Sequence, residues 1–280
     1  MRLSGCRVLV TRPAHQAGPA VAALEAEGAR VTPVPVLRIA PPDDPEALRR
    51  ACREAWEGCF DWIVVTSPNG AQALAEALRA VAPGRGAAAA GEQAAPAGGA
   101  GGQLPARVCA VGAATRRALE AAHVRVDCMP DEPRAAAIPA ALARCGHLQG
   151  ARILLAVGDR ADEMLQRELA AGGATVVRVE AYRTLDDPAN AARAAALVRS
   201  GEVDVLVAAS PSAVCAVTAH LKGPPPGRVR VVAIGPTTAG AALGAGWRVE
   251  QATSPSPEAL AAACARAWQE LRMEGDGQGR

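Results

Sequence analysis

The chain has 280 residues, of which half are hydrophobic and only 2% aromatic, and its formal net charge is +2. This length suffices for one large domain or two modest ones, with a core built mainly from Ala, Val and Leu. The small net charge argues against a nucleic-acid-binding protein, and the alanine-rich runs are interrupted too often by charge, Pro and Gly to cross a membrane.

Two series of apolar runs follow one another along the chain. The first predicts strands near residues 7–11, 30–36, 61–66, 107–111 and 124–128. The second predicts strands near residues 152–157, 174–181, 203–209, 229–234 and 247–251. Segments with helical periodicity separate the runs, a pattern typical of parallel sheets covered on both faces. Five strands in each half favour a flavodoxin-like, doubly wound domain.

The two halves also share their local sequences, which indicates an internal duplication. "RVLV" at residues 7–10 matches "RILL" at 152–155, and "DWIVVTSPNG" at 61–70 matches "DVLVAASPSA" at 204–213. The fold class predicted is therefore α/β, with two flavodoxin-like doubly wound parallel-sheet domains related by duplication.

Proline-rich stretches after the second strand of each half predict a two-stranded linker, because repeated Pro holds the chain extended. The chain would then cross twice between its domains. A tract rich in Gly, Ala and Pro cannot bury a core and is predicted to be a disordered insert. The predicted parts are domain I at 1–36 and 186–270, linkers at 37–42 and 180–185, domain II at 43–179, the insert at 83–105 and a tail at 271–280.

Cysteine and histidine spacing argues against a metal site. The eight cysteines occur singly, without a CxxC pair, and the four histidines lack the spacing of a metal-binding motif. Buried, reduced thiols in a cytoplasmic protein are the simplest interpretation. The N-terminus enters a strand pattern at once, so no signal peptide is expected.

Polar corners recur where the predicted strands end. In a doubly wound sheet ligands bind beyond the carboxyl ends of the strands. Ser, Thr or Asn before a helix with Pro in its first turn is an N-cap pattern, and exposed amides and hydroxyls at a helix start attract anions. The candidate binding residues are Arg12, Thr66, Ser67, Asn69, Gly112, Thr115, Arg160, Ser210, Ser212, Gly235, Thr237 and Thr238. If the two domains face each other, these corners line a cleft suited to a polyanion.

No catalytic constellation accompanies these corners. The sequence has no GxSxG, no Walker lysine, no paired catalytic carboxylates and no GxGxxG. Tyr182, the sole tyrosine, lies in the second predicted linker and is either a packing residue of the hinge or a phenol over the cleft. Arg12 and Arg160 either pair with ligand carboxylates or are solvated surface charges.

An ordered series of motifs along nearly the whole chain resembles the uroporphyrinogen-III synthase family. The motifs are "VLVTRP" (8–13), "DWIVVTSPNG" (61–70), "VCAVGAAT" (108–115), "VEAYRT" (179–184), "AASPSA" (208–213), "VVAIGPTTAGAAL" (231–243) and "SPSPEAL" (254–260). The resemblance implies two flavodoxin-like domains joined by a two-stranded linker. It also implies cyclisation of hydroxymethylbilane to uroporphyrinogen III, with inversion of ring D, loss of water and no cofactor.

The resemblance assigns roles to individual residues. Tyr182 matches the family's linker tyrosine and would assist departure of the hydroxyl. Ser67, Thr115, Ser210 and Thr238 match residues expected to bind the acetate and propionate arms. The predicted insert at 83–105 is not a family feature.

The resemblance also bears on partners and on the alternatives. We expect a cytoplasmic monomer that binds hydroxymethylbilane, contacts hydroxymethylbilane synthase at most transiently, and binds neither nucleic acid nor membrane. Two alternatives remain open: a non-catalytic sensor of tetrapyrroles or anions with the same fold, and a cleft-type solute-binding protein. The missing signal peptide argues against the second.

Overall fold

The computed structural model describes residues 1–83 and 104–277. Its strands are β1 Arg7–Val10, β2 Arg30–Pro33, β3 Leu37–Ala40, β4 Trp62–Val65, β5 Arg107–Ala110, β6 Arg152–Gly158, β7 Thr175–Asp186, β8 Val205–Ala208, β9 Arg230–Ala233 and β10 Arg248–Gln251. Its helices are α1 Ala14–Ala26, α2 Pro45–Trp56, α3 Pro68–Ala80, α4 Ala113–Ala121, α5 Ile138–Cys145, α6 Met164–Ala171, α7 Pro188–Ser200, α8 Pro211–Ala219, α9 Pro236–Gly244 and α10 Pro257–Gly277.

The chain divides into two units, each built on one five-stranded sheet. Unit 1 comprises Met1–Arg38 and Leu185–Arg280, and unit 2 comprises Ile39–Thr184. The strand order is β10-β9-β8-β1-β2 in one sheet and β3-β7-β6-β4-β5 in the other. Each sheet therefore takes strands from both halves of the sequence.

In unit 1 the neighbouring strands all run parallel. The three central strands, β1, β8 and β9, are short and almost wholly buried, because both faces of the sheet are covered there. On one face Leu9 and Leu206 pack with residues of α7 and α8, and on the other Val8 and Val205 pack with α1 and α10.

Unit 2 repeats this plan, with β4 parallel to both β5 and β6, and β6 parallel to β7. Alternation along β4 sends Ile63 and Val65 to a core shared with α2, α3 and α4. Trp62 and Val64 point to the opposite core, which α5 and α6 cover. The parallel strands bring their carboxyl ends to one edge of the sheet, where the predicted corners lie.

Equivalent aspartates fix the opposite edge of each sheet. The Asp61 carboxylate accepts from the backbone N–H of Arg152 at 2.8 Å, and the Asp204 carboxylate accepts from that of Arg7 at 2.8 Å. Each satisfies the first amide of the neighbouring strand, so the Asp that precedes both repeated corners has a structural role.

One predicted strand is wrong. Residues 124–128 form no strand, and only an isolated bridge joins Cys109 to Cys128. The Asp127 carboxylate accepts from the N–H of Val108 at 2.9 Å. It thereby occupies a donor of β5 that a neighbouring strand would otherwise use.

The C-terminal tail differs from the prediction, and most of the predicted insert lies outside the described residues. The tail predicted from residue 271 is helical as far as Gly277, because α10 continues through it. Glu270 and Glu274 of this helix pair with Arg230, and Glu274 also pairs with Arg248. Of the predicted insert at 83–105, residues 84–103 lie outside the described residues.

The proline-rich stretches are themselves strands. The first predicted linker, 37–42, contains β3, and the second, 180–185, is the last part of the long strand β7. These two strands are neighbours in one sheet. Among the described helices, none is both long and apolar enough to cross a membrane.

Candidate functional site

Two of the predicted corners are closed by serine. Ser67 precedes α3 and its hydroxyl accepts from the N–H of Gly70 at 3.0 Å. Ser210 precedes α8 and accepts from the N–H of Ala213 at 3.2 Å. Each hydroxyl therefore satisfies one of the first amides of its helix, as a side-chain N-cap does. Thr66 and Asn69 flank the first of these corners, and Ser212 lies in the first turn of α8.

Two further corners are closed by glycine. Gly112 caps α4 and Gly235 caps α9, and neither offers a side chain to the amides of the first turn. Thr115 and Thr238 occupy the third position of these helices and are only 2% and 3% exposed. Thr237, next to Thr238, is exposed. The glycine corners thus leave backbone donors available beside a buried hydroxyl, an arrangement that favours an anion.

The corner after β1 carries a cation. Thr11 is buried and its hydroxyl donates to the carbonyl oxygen of Val207 at 3.0 Å, which ties β1 to β8. Arg12 follows it and is half-buried. Burial lowers the pKa of the Arg12 guanidinium, and no described carboxylate offsets that cost. A half-buried cation without an acidic partner is suited to bind an anionic ligand.

The structure brings Tyr182 and Ser67 together, although 115 residues separate them in sequence. Tyr182 lies in β7, beside the end of β6, and its phenol oxygen is 3.1 Å from the Ser67 hydroxyl. Both belong to unit 2. The phenol therefore lies at the carboxyl edge of this sheet, next to the first turn of α3.

A register shift directs the Tyr182 ring to this position. Val157 pairs with Glu180, but Gly158 pairs with Tyr182, so β7 contains one extra residue, Ala181. Without this register shift, strict alternation along β7 would send Tyr182 to the face of the sheet that α5 and α6 cover. Instead Ala181 and Tyr182 both pack on the core beside α2 and α3.

Gly158 gives the ring its space. A Cβ at Gly158 would lie 2.7 Å from Cζ and 2.9 Å from the phenol oxygen of Tyr182, so any larger residue would displace the ring. Asp159 holds the backbone of β7 at Tyr182 and at Thr184. Its N–H donates to the carbonyl oxygen of Tyr182 at 3.1 Å, and its carboxylate accepts from the N–H of Thr184 at 2.9 Å. Arg160, the next residue, is exposed.

The sequence model of the family described as "Uroporphyrinogen-III synthase HemD" matches residues 19–262. The chain belongs to the uroporphyrinogen-III synthase family. A uroporphyrinogen-III synthase of Synechococcus elongatus is 29% identical over 185 residues, which is 65% of this chain. That alignment covers 62% of the relative, so the chain spans less than two thirds of its length.

Two solved structures of the family have the same fold. A mutant uroporphyrinogen III synthase of the extreme thermophile Thermus thermophilus gives a TM-score of 0.60 at 20% identity, covering 95% of this chain and 100% of that one. The uroporphyrinogen-III synthetase of Helicobacter pylori gives a TM-score of 0.57 at 13% identity, and the alignment covers 93% of this chain and 99% of that one. These likenesses agree with the prediction of two flavodoxin-like domains.

Two residues that determine the position of Tyr182 were not identified from the sequence. Gly158 and Asp159 lie in a recognised corner, but neither was a candidate. A glycine at the end of an otherwise apolar strand was the available signal, since it marks close approach of another group. The described residues contain no group of three or more His, Cys, Asp or Glu able to hold a metal ion.

Proposed function

We propose that the protein is a uroporphyrinogen-III synthase, which cyclises hydroxymethylbilane with inversion of ring D and loss of water. The observation that carries this proposal is the family match over residues 19–262. The geometry adds support, since a phenol held by Ser67 lies at the carboxyl edge of a parallel sheet, where doubly wound folds bind ligands.

Binding of the substrate's carboxylate arms requires hydrogen-bond donors rather than acid–base groups. The glycine-capped helices α4 and α9 offer first-turn amides and the positive end of a helix dipole. Arg12 adds a guanidinium that no described carboxylate neutralises. We assign Gly112, Thr115, Gly235, Thr238 and Arg12 to binding of acetate and propionate arms.

The remaining predicted residues have weaker support as ligands of the arms. The hydroxyls of Ser67 and Ser210 already cap their helices. We propose that Thr66, Asn69, Arg160, Ser212 and Thr237 contribute at the rim of the same corners.

Tyr182 is the group best placed to assist the chemistry. Its phenol donates a proton to the hydroxymethyl oxygen, the C–O bond breaks, and water leaves as the pyrrole nitrogen supplies the electrons. The substituted α-carbon of ring D then attacks the azafulvene. The spiro intermediate so formed fragments and recloses, and the enzyme's main contribution is to hold the chain in the pose that makes this closure faster than the spontaneous one.

Product analysis tests the proposal. The purified protein is incubated with freshly prepared hydroxymethylbilane, and the products are oxidised to porphyrins and separated by isomer. We expect the type III isomer in excess over type I, and a Tyr182→Phe variant that folds normally but forms type III about ten- to a hundredfold more slowly. Type I product alone would reject the synthase assignment, and tight binding without turnover would instead favour a sensor of tetrapyrroles.

A further inference from the structure

The Ser67 hydroxyl takes part in two hydrogen bonds, one with the Gly70 amide and one with the Tyr182 phenol. The Gly70 amide can only donate, so Ser67 Oγ is the acceptor of that 3.0 Å bond. In the second bond the structure has Ser67 Oγ donating its single proton to the phenol oxygen of Tyr182, 3.1 Å away. Within the described part of the chain, the structure gives this proton no other acceptor.

The direction of the second bond determines where the Tyr182 proton points. When Ser67 donates to the phenol oxygen, the phenol's own proton is directed away from Ser67 and is free to be donated. The ring packs closely on Gly158, where an added Cβ would lie 2.7 Å from Cζ, so the backbone there restricts its movement towards the sheet. The extra residue in β7 and the two Asp159 hydrogen bonds hold the backbone that carries the ring.

We infer that Ser67 is a positioning residue for Tyr182 rather than a ligand of the substrate's carboxylates, an inference that rests on the proposed synthase function. Ser67 and Gly158 together hold the phenol with its proton aimed at the departing hydroxyl.

The chain of donors also stabilises the phenol after it gives up its proton. The hydrogen bond from Ser67, itself held by an amide at the positive end of α3, shortens and strengthens as negative charge develops on the phenol oxygen. The proton is restored by the one that the free α-carbon of ring D releases when the macrocycle closes. Over one turnover water is the sole other product, and Tyr182 ends as it began.

A double-mutant cycle separates positioning from substrate binding. The rate of type III formation is measured for the wild type, Ser67→Ala, Tyr182→Phe and the double variant, with kcat and KM determined separately. Positioning predicts that Ser67→Ala lowers kcat about five- to tenfold, the effect of one hydrogen bond, with KM little changed. It also predicts no further loss once the phenol is absent. An equal loss in both backgrounds would overturn the inference.

Two matched variants control for the helix cap. Ser67→Thr retains a hydroxyl and should recover most of the kcat lost in Ser67→Ala; a threonine variant as slow as the alanine variant would contradict the inference. Ser210→Ala removes the equivalent cap of α8. Whatever its effect on kcat or KM, we expect the same factor with and without the Tyr182 hydroxyl.

Gly158→Ala provides a second route should Ser67→Ala fold poorly. It leaves the serine cap intact but places a Cβ 2.7 Å from Tyr182 Cζ, so the ring must move. The substitution should lower kcat when Tyr182 is present and leave kcat unchanged in the Tyr182→Phe background. Circular dichroism and chemical denaturation establish that each variant is folded.

A spectroscopic measurement tests the hydrogen-bond direction without any turnover. Tyr182 is the sole tyrosine, so the tyrosine doublet in the Raman spectrum reports on this phenol alone. The wild type should show a phenol whose oxygen accepts a hydrogen bond, and Ser67→Ala should lose that signature. An unchanged doublet would refute the positioning role, whereas a changed doublet with only type I product would refute the synthase function and leave the hydrogen bond standing.

Discussion

Arg12 is the residue whose surroundings best support the proposed binding of an anion. Burial lowers the pKa of its guanidinium, and no described acidic side chain compensates, so the folded protein keeps a cation in a place that disfavours charge. A bound carboxylate would relieve that cost. We therefore predict that Arg12→Ala raises KM for hydroxymethylbilane about tenfold, in line with the loss of a charge-assisted hydrogen bond, and changes kcat less. Steady-state kinetics at fixed ionic strength measures both constants.

Arg193 supplies the control for this charge change. It lies exposed on α7, and Arg193→Ala removes the same unit of charge from unit 1 without touching a corner. KM should stay at the wild-type value, since an exposed charge is screened by water and salt. If both variants raise KM equally, net charge rather than a site at Arg12 attracts the substrate.

At the same scale, the sequence marked Tyr182 and Ser67 as candidates but did not predict their contact. Nothing in hydrophobic periodicity reveals one extra residue in β7. Strict alternation places Tyr182 on the other face of the sheet. Only the observed register, with a glycine opposite the ring, brings the phenol to Ser67.

At the scale of elements, half of the ten described α-helices begin in the same way. Five of them start with proline directly after a residue whose side chain accepts from an amide of the first turn. The capping residues are Asp44, Ser67, Asp187, Ser210 and Ser256. This pattern was legible in the sequence because capping and the fixed φ of proline are local properties.

Ser256 offers a clean measure of what such a cap contributes. Its hydroxyl accepts from the N–H of Ala259 at 3.2 Å, at the start of α10. Ser256→Ala should lower the free energy of unfolding by about 1 kcal/mol, and Ser256→Gly by only a few tenths, because glycine is itself a tolerable cap. Urea denaturation measures both differences. Equal losses for Ala and Gly would mean that Ser256 stabilises the protein by something other than capping.

The missing strand at residues 124–128 shows where element prediction failed. "VRVDC" alternates as a strand should, and the equivalent residues of the second half form β10. Here the Asp127 carboxylate takes the Val108 amide, which a neighbouring strand would otherwise use. Side-chain competition for a backbone donor depends on tertiary placement, which a one-dimensional pattern does not contain.

At the scale of the whole molecule, duplication and sheet membership do not coincide. The sequence repeats once, but each sheet combines strands from both repeats, so neither half carries a complete sheet. Repeated motifs were enough to predict most of the strands and two doubly wound domains. The strand order within each sheet follows from pairings distant in sequence, such as β1 with β8 and β4 with β6.

The cysteines allow the integrity of both units to be followed in one experiment. Cys6 and Cys264 lie in the core of unit 1. Cys52, Cys109 and Cys128 lie in the cores of unit 2, and Cys215 is exposed. Burial raises the pKa of the Cys6, Cys52 and Cys109 thiols to about 12, and raises that of Cys264 as well. At pH 8 a thiol with a pKa near 12 is ionised in only about one molecule in 10⁴, against about a quarter for an ordinary thiol.

We therefore predict that a maleimide added to the native protein at pH 8 modifies Cys215 first, and the half-buried Cys59 and Cys145 later. The five core thiols should react only when their unit opens, because both the thiolate and a path to it are lacking in the folded state. Peptide mapping by mass spectrometry follows each site, and guanidinium should release all eight. Early labelling of Cys52 or Cys109 would show that unit 2 opens readily, and early labelling of Cys6 or Cys264 would show the same for unit 1.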